Sequence, residues 1–107
     1  MNNTTRDYCG ELNSLMRRIM ETGAFSYVKA SNGEYDVEEN WDHPEWADSV
    51  LACDEGVVVL RDTTTQKSVW LQLAAGNEAG VLCSDYVCHE LLDDIMGAHY
   101  DEWQGRW

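Results

Sequence analysis

Apolar residues recur along the first part of the chain with the period of a helix. Tyr8, Leu12, Leu15, Met16 and Ile19 follow the i, i+4, i+7, i+8 spacing of one stripe, with Met20 at its edge. Asn13, Arg17, Arg18 and Glu21 occupy the other side. The spacing predicts a helix over Thr5–Thr22, capped by Thr4 or Thr5 and stopped by a left-handed Gly23. The two arginines near its C-terminal end suit the helix dipole.

The period then shortens to two. Phe25–Lys29 reads as a strand, Ser31-Asn32-Gly33 as a turn and Glu34–Val37 as the return. Glu38–Asp54 is ambiguous. Pro44 in a first turn, with Val50 four residues after Trp46, favours a short helix over Pro44–Ala52. The competing reading is a strand over Ser49–Cys53 turning at Asp54-Glu55-Gly56. Val57–Arg61 is a β-branched apolar run, and Ser68–Leu73 alternates Val69, Leu71 and Leu73 against Trp70 and Gln72. With Asp62–Lys67 as the loop, the two form a hairpin. Gly76-Asn77-Glu78 marks a further turn, and Gly80–Cys83 a short strand.

The last helix is expected over Asp85–Trp103, capped by Ser84 or Asp85. Cys88, Leu91, Leu92, Ile95, Met96, His99 and Trp103 fall in one apolar sector, while Glu90, Asp93, Asp94 and Asp101 fall opposite, with Gly97. These elements define one α+β domain over residues 1–107: an antiparallel β-sheet flanked by an N-terminal and a C-terminal amphipathic helix, with a short middle helix. Both helical stripes are one-sided, so both helices should pack on the same sheet face. Leu15, Ile19, Val69, Leu71, Leu91 and Ile95 should then be almost fully buried. A chain of 107 residues buries roughly two-thirds of its unfolded surface and folds without staples.

Charge changes the picture. Net charge is −13, and the acids are not mixed with bases. From Ala30 to Leu60 there are nine carboxylates, and from Ser68 to Gly105 seven more, with no Lys or Arg in either stretch. Unmixed charge costs stability through self-repulsion, so the acids call for a function. Such a surface repels nucleic acid and anionic membranes alike, and its natural partner is basic. The polar N-terminus and the lack of any ~18-residue apolar run point to a cytoplasmic protein.

Little in the chain supports chemistry. There is no Gly-x-Ser-x-Gly, phosphate loop or His-Glu-x-x-His. His43 precedes Pro44 in an acidic loop and reads as a capping or surface residue, and His99 as a satisfied core histidine. Cys9, Cys53, Cys83 and Cys88 form no Cys-x-x-Cys pair and are expected as reduced thiols. Cys83, Cys88 and His89 fit no common zinc spacing, since Cys88 and His89 side by side on a helix diverge by about 100°. No cofactor or metal is implied, and no enzyme activity.

What remains is recognition by charge. The partner-binding residues expected from this pattern are Glu90, Asp93, Asp94 and Asp101 on the last helix, with Glu38, Glu39, Trp41, Asp42, Glu45 and Trp46 in the acidic middle segment. Carboxylates in rows substitute for phosphates on a Lys/Arg surface, and aromatic anchors inside an acidic rim add residence time. In size, charge, acidic terminal helix and helix–sheet–helix order the chain resembles the small acidic anti-CRISPR and anti-restriction proteins of phages and mobile elements that mimic DNA. That resemblance implies a non-enzymatic inhibitor, monomer or homodimer, acting in a bacterial host cell on a basic nucleic-acid-binding protein such as a CRISPR effector or nuclease. A second resemblance is to acidic immunity proteins or antitoxins that plug a nuclease toxin. A small adaptor subunit of a larger complex is the third class.

Overall fold

The first helix, α1, spans Tyr8–Glu21 in a computed structural model that describes residues 7–75 and 82–103. Its cap is Asp7, whose Oδ1 accepts the Gly10 N–H at 2.8 Å. The expected caps, Thr4 and Thr5, lie outside the described residues. Gly23 follows at φ +72° and ends the helix as anticipated. Glu11, Leu12, Leu15, Met16 and Ile19 form its buried face.

Among the described residues five strands make one antiparallel sheet: β1 (Phe25–Ser31), β2 (Asp36–Val37), β3 (Glu55–Asp62), β4 (Ser68–Ala74) and β5 (Cys83–Tyr86), in the order β2-β1-β3-β4-β5. The short helix α2 (Trp46–Val50) lies between β2 and β3 in sequence, and α3 (Glu90–Trp103) is the last element among the described residues. The α+β architecture is therefore as the periodicity predicts. β1 pairs with β3 rather than only with its hairpin partner, and shifts register between Tyr27 and Lys29. Gly56 permits the close crossing of β3 beneath α2. A Cβ there would lie 2.6 Å from the Val50 carbonyl oxygen and 3.2 Å from that of Ser31.

All three helices share one core with one sheet face. Leu12, Leu15, Met16, Ile19, Trp46, Val50, Val58, Leu60, Val69, Leu71, Leu73, Leu92, Ile95 and Met96 belong to it. Each fully buried aliphatic side chain stabilises the fold by roughly 1.5–3 kcal/mol.

Several boundaries differ from expectation, each for a tertiary reason. α2 is shorter than Pro44–Ala52, because Pro44 lies in the turn before it. The Gly76-Asn77-Glu78 turn and the Gly80–Val81 part of the predicted fifth strand lie outside the described residues, and the observed β5 shares only Cys83 with that prediction. Ser84 and Asp85 do not cap α3. They belong to β5, where Asp85 pairs with Gln72 and Tyr86 with Leu71. Cys88 and His89 consequently precede the helix rather than lying on it. Leu91 is only half-buried, unlike the other five expected core residues. It occupies the first turn of α3 and packs only in part against the core.

Candidate functional site

The β1–β2 turn is held by a buried amide. Asn32 exposes none of its surface. Its Oδ1 accepts the N–H groups of Glu34 and Tyr35 at 3.0 and 3.1 Å, and its Nδ2 donates to the Ser49 carbonyl at 3.3 Å. Every polar atom of the side chain's amide is used, so the turn is fixed to α2. Tyr35 is thereby left 59% exposed, beside a groove of about 410 Å³ lined by Tyr35, Asp36, Val37, Glu38, Glu39 and Ser49. Ser49 Oγ donates to Glu39 Oε1 at 2.9 Å, which fixes one carboxylate. Asp36 and Glu38 are exposed. An aromatic wall facing carboxylates suits a Lys or Arg side chain, which gains from both.

Of the two tryptophans in the next segment, only Trp41 keeps any surface. Trp46, expected among the partner-binding residues, is fully buried. Its indole N–H donates to the Tyr27 hydroxyl at 3.0 Å, and the two rings meet edge to face at 6.0 Å. That satisfied core contact removes Trp46 from the recognition surface. Trp41 is half-buried against the core and lines a second groove, of about 370 Å³, with Asn13, Arg17, Asp42, His43 and Pro44. Asp42 Oδ1 accepts from Asn40 Nδ2 at 2.8 Å, while His43 Nδ1 accepts the Glu45 N–H at 3.1 Å. His43 is thus an exposed residue of the turn before α2, whose N-cap is Glu45. Glu45 is exposed.

On α3, Glu90, Asp93, Asp94 and Asp101 are all exposed, in a row of roughly 16 Å at ~1.5 Å per residue. Asp93 is anchored: the Tyr86 hydroxyl donates to its Oδ1 at 2.8 Å. That bond, with burial second, pushes the Tyr86 phenol up to about 12. The Tyr100 hydroxyl donates to the Cys83 carbonyl at 2.7 Å, a second tie between α3 and β5.

The expected residues form two surfaces rather than one. α1 packs against both α2 and α3, and carries Arg17 and Arg18 between the acidic middle segment and the acidic helix. Arg18 pairs with Glu102, 84 residues away in sequence. The separation of signs along the chain is therefore partly undone in space.

The remaining titratable groups are structural. His99 Nε2 lies 2.9 Å from Glu11 Oε2, with both side chains fully buried. His89 Nε2 lies 2.8 Å from Asp62 Oδ2. The His89 contact and the backbone N–H groups of Thr65 and Thr64 hold the Asp62 carboxyl down at about 2. All four cysteines are free. Burial chiefly pushes the Cys9 and Cys83 thiols up to about 12, which makes both poor nucleophiles. Among the described residues no cluster of three or more His, Cys, Asp or Glu side chains could hold a metal ion, and no helix is long and apolar enough to cross a membrane.

Sequence reasoning missed Tyr35 and Asp36. The signal was an aromatic residue directly after Asn-Gly-Glu, where an Asn-centred turn throws the following side chain outward. Comparison with protein families, with characterised proteins and with solved structures gives no match to this chain.

Proposed function

We propose that this protein is a non-enzymatic acidic inhibitor that occupies the basic nucleic-acid-binding surface of a defence effector in the bacterial cytoplasm, as anti-CRISPR DNA mimics do. The observation that carries this reading is the row of exposed carboxylates on α3, with Asp93 fixed by Tyr86. Prealigned anions lose little entropy when a Lys/Arg surface closes over them. The groove between Tyr35 and Glu39 supplies a second contact, with the aromatic face that a row of carboxylates alone lacks. The net charge of −13 steers both toward a basic partner.

The test is competition. The tagged protein is used to capture partners from bacterial lysate, and the captured protein is then titrated with duplex DNA. A single shared surface predicts mutually exclusive binding, one inhibitor per site, weakening steeply as salt rises. A stable ternary complex of inhibitor, effector and DNA would refute the mimicry. Exclusive capture of a nuclease encoded beside this gene would identify the protein as an immunity protein instead.

A further inference from the structure

The outer face of the sheet is apolar at its centre and nothing among the described residues covers it. Along β3, Val57, Val58, Val59 and Leu60 form an unbroken apolar run, the pattern of a strand buried on both faces rather than one. Val58 and Leu60 point into the core, whereas Val57 is 38% exposed and Val59 half-exposed. On β4, Trp70 faces the same way and is also 38% exposed. The ladder sets Lys29, Val59 and Trp70 in one row across β1, β3 and β4. Beside that row, Lys29, Ala30, Ser31, Asp36, Val57 and Val59 line a hollow of about 310 Å³. One face therefore holds a projecting indole and, on the far side of β3, a hollow edged by a cation.

The geometry points to a second copy of this chain as the occupant: a twofold dimer, sheet against sheet, with Trp70 of each copy seated in the hollow beside Lys29 of the other. A twofold axis parallel to β3 lays β4 of one copy over β1 of its mate. The row Lys29–Val59–Trp70 then meets itself reversed, so each ammonium faces an indole and valine packs on valine. Aligned sheets cross at about 30°, which spreads the strand ends where Arg61 and Glu55 lie. Charge selects the same face. Two chains of −13 each repel wherever carboxylates meet, and this face carries Lys29 and Arg61 against Asp36, Glu55 and Asp85 at its margins. This inference stands independently of the acidic row on α3, while Asp36 borders both this hollow and the groove beside Tyr35.

Sedimentation equilibrium at low and high salt tests it. The expected result is a species of twice 12.2 kDa that tightens as salt rises, because salt screens the repulsion between the copies. Capture of a basic partner should show the opposite salt dependence. Trp70→Glu should raise the dimer dissociation constant about 30-fold or more, as loss of a central aromatic anchor does. Val59→Asn is the milder second variant and should act in the same direction, with melting of the monomer unchanged. Asp94→Lys, on the helical side, should leave the dimer intact. A wild-type chain that stays monomeric at every salt concentration, or a Trp70→Glu dimer as tight as wild type, overturns the proposal. So does a monomer whose binding to a basic partner is lost on Trp70→Glu, since the face would then belong to that partner.

Discussion

His99 and Glu11 are 88 residues apart in sequence and 2.9 Å apart in space, Nε2 to Oε2, with neither side chain reaching solvent. The contact joins the first helix to the last. His99 also stacks on Trp103, with ring centroids 6.2 Å apart, so the imidazole is held on both its polar and its aromatic side. Removing His99 takes one partner away from the buried Glu11 side chain. His99→Ala should cost about 1–3 kcal/mol, for the loss of a buried hydrogen bond, read as a fall in urea midpoint with an unchanged m-value. A loss under about 1 kcal/mol would mean that the His99 contact adds little to what the other partners of Glu11 supply.

Asp62 gives a pH dependence with a definite sign. Its folded carboxyl is held near 2 by His89, Thr65 and Thr64, below the ordinary Asp value of about 3.9. Folding thus favours the ionised form. The stabilisation is fully present above about pH 4 and is lost as pH falls toward 2. The stability difference between wild type and Asp62→Asn should shrink across that window, measured by chemical denaturation at each pH. A difference independent of pH would show that the carboxylate gains nothing from these partners.

Two glycines should respond oppositely to alanine. At Gly56 the new Cβ would meet the Val50 carbonyl oxygen at 2.6 Å and the Val50 Cγ1 at 2.7 Å. Since one of these is backbone, relief requires moving α2 against β3, at a cost of about 1–3 kcal/mol. At Gly97, inside α3, a Cβ would meet nothing within 4 Å, and helix propensity alone should gain about 0.8–1 kcal/mol. Melting curves of Gly56→Ala and Gly97→Ala should move in opposite directions.

The acidic row on α3 separates binding from folding. Glu90 and Asp94 repel at the i,i+4 spacing. Asp94→Lys replaces that repulsion with attraction, worth about 0.2–0.5 kcal/mol in favour of the fold. The same substitution should slow association with a basic partner several-fold at low salt, and less at high salt. Glu38→Lys provides the matching test for the groove beside Tyr35. Stopped-flow association rates beside melting curves decide the matter. Unchanged association for Asp94→Lys would move recognition off α3.

Local pattern made some of this legible and long-range pairing made the rest illegible. The α1 stripe and the β3–β4 hairpin depend on neighbours in sequence, and both stand where their periodicity places them. The start of α3 does not. Asp85 and Tyr86 have the polarity of a helix beginning, but their backbone is claimed by Gln72 and Leu71 on β4. Trp46 reads as a surface anchor because its flanks are acidic. Its partner, the Tyr27 hydroxyl, lies a whole hairpin away. The carboxylates of the candidate surfaces were visible from charge alone. Their division by α1, and the pairing of Arg18 with Glu102, required the fold.

Packing α1 against α3 also has a consequence for biosynthesis. The apolar stripe of α1 is complete once Glu21 has been added, but its cover ends only at Trp103. At roughly 5–20 residues per second, a ribosome would leave that stripe incompletely covered for about 4–16 s. The full core therefore closes only after α3 has been made, and a truncation that removes α3 should be cleared by proteases rather than accumulate as a smaller folded domain.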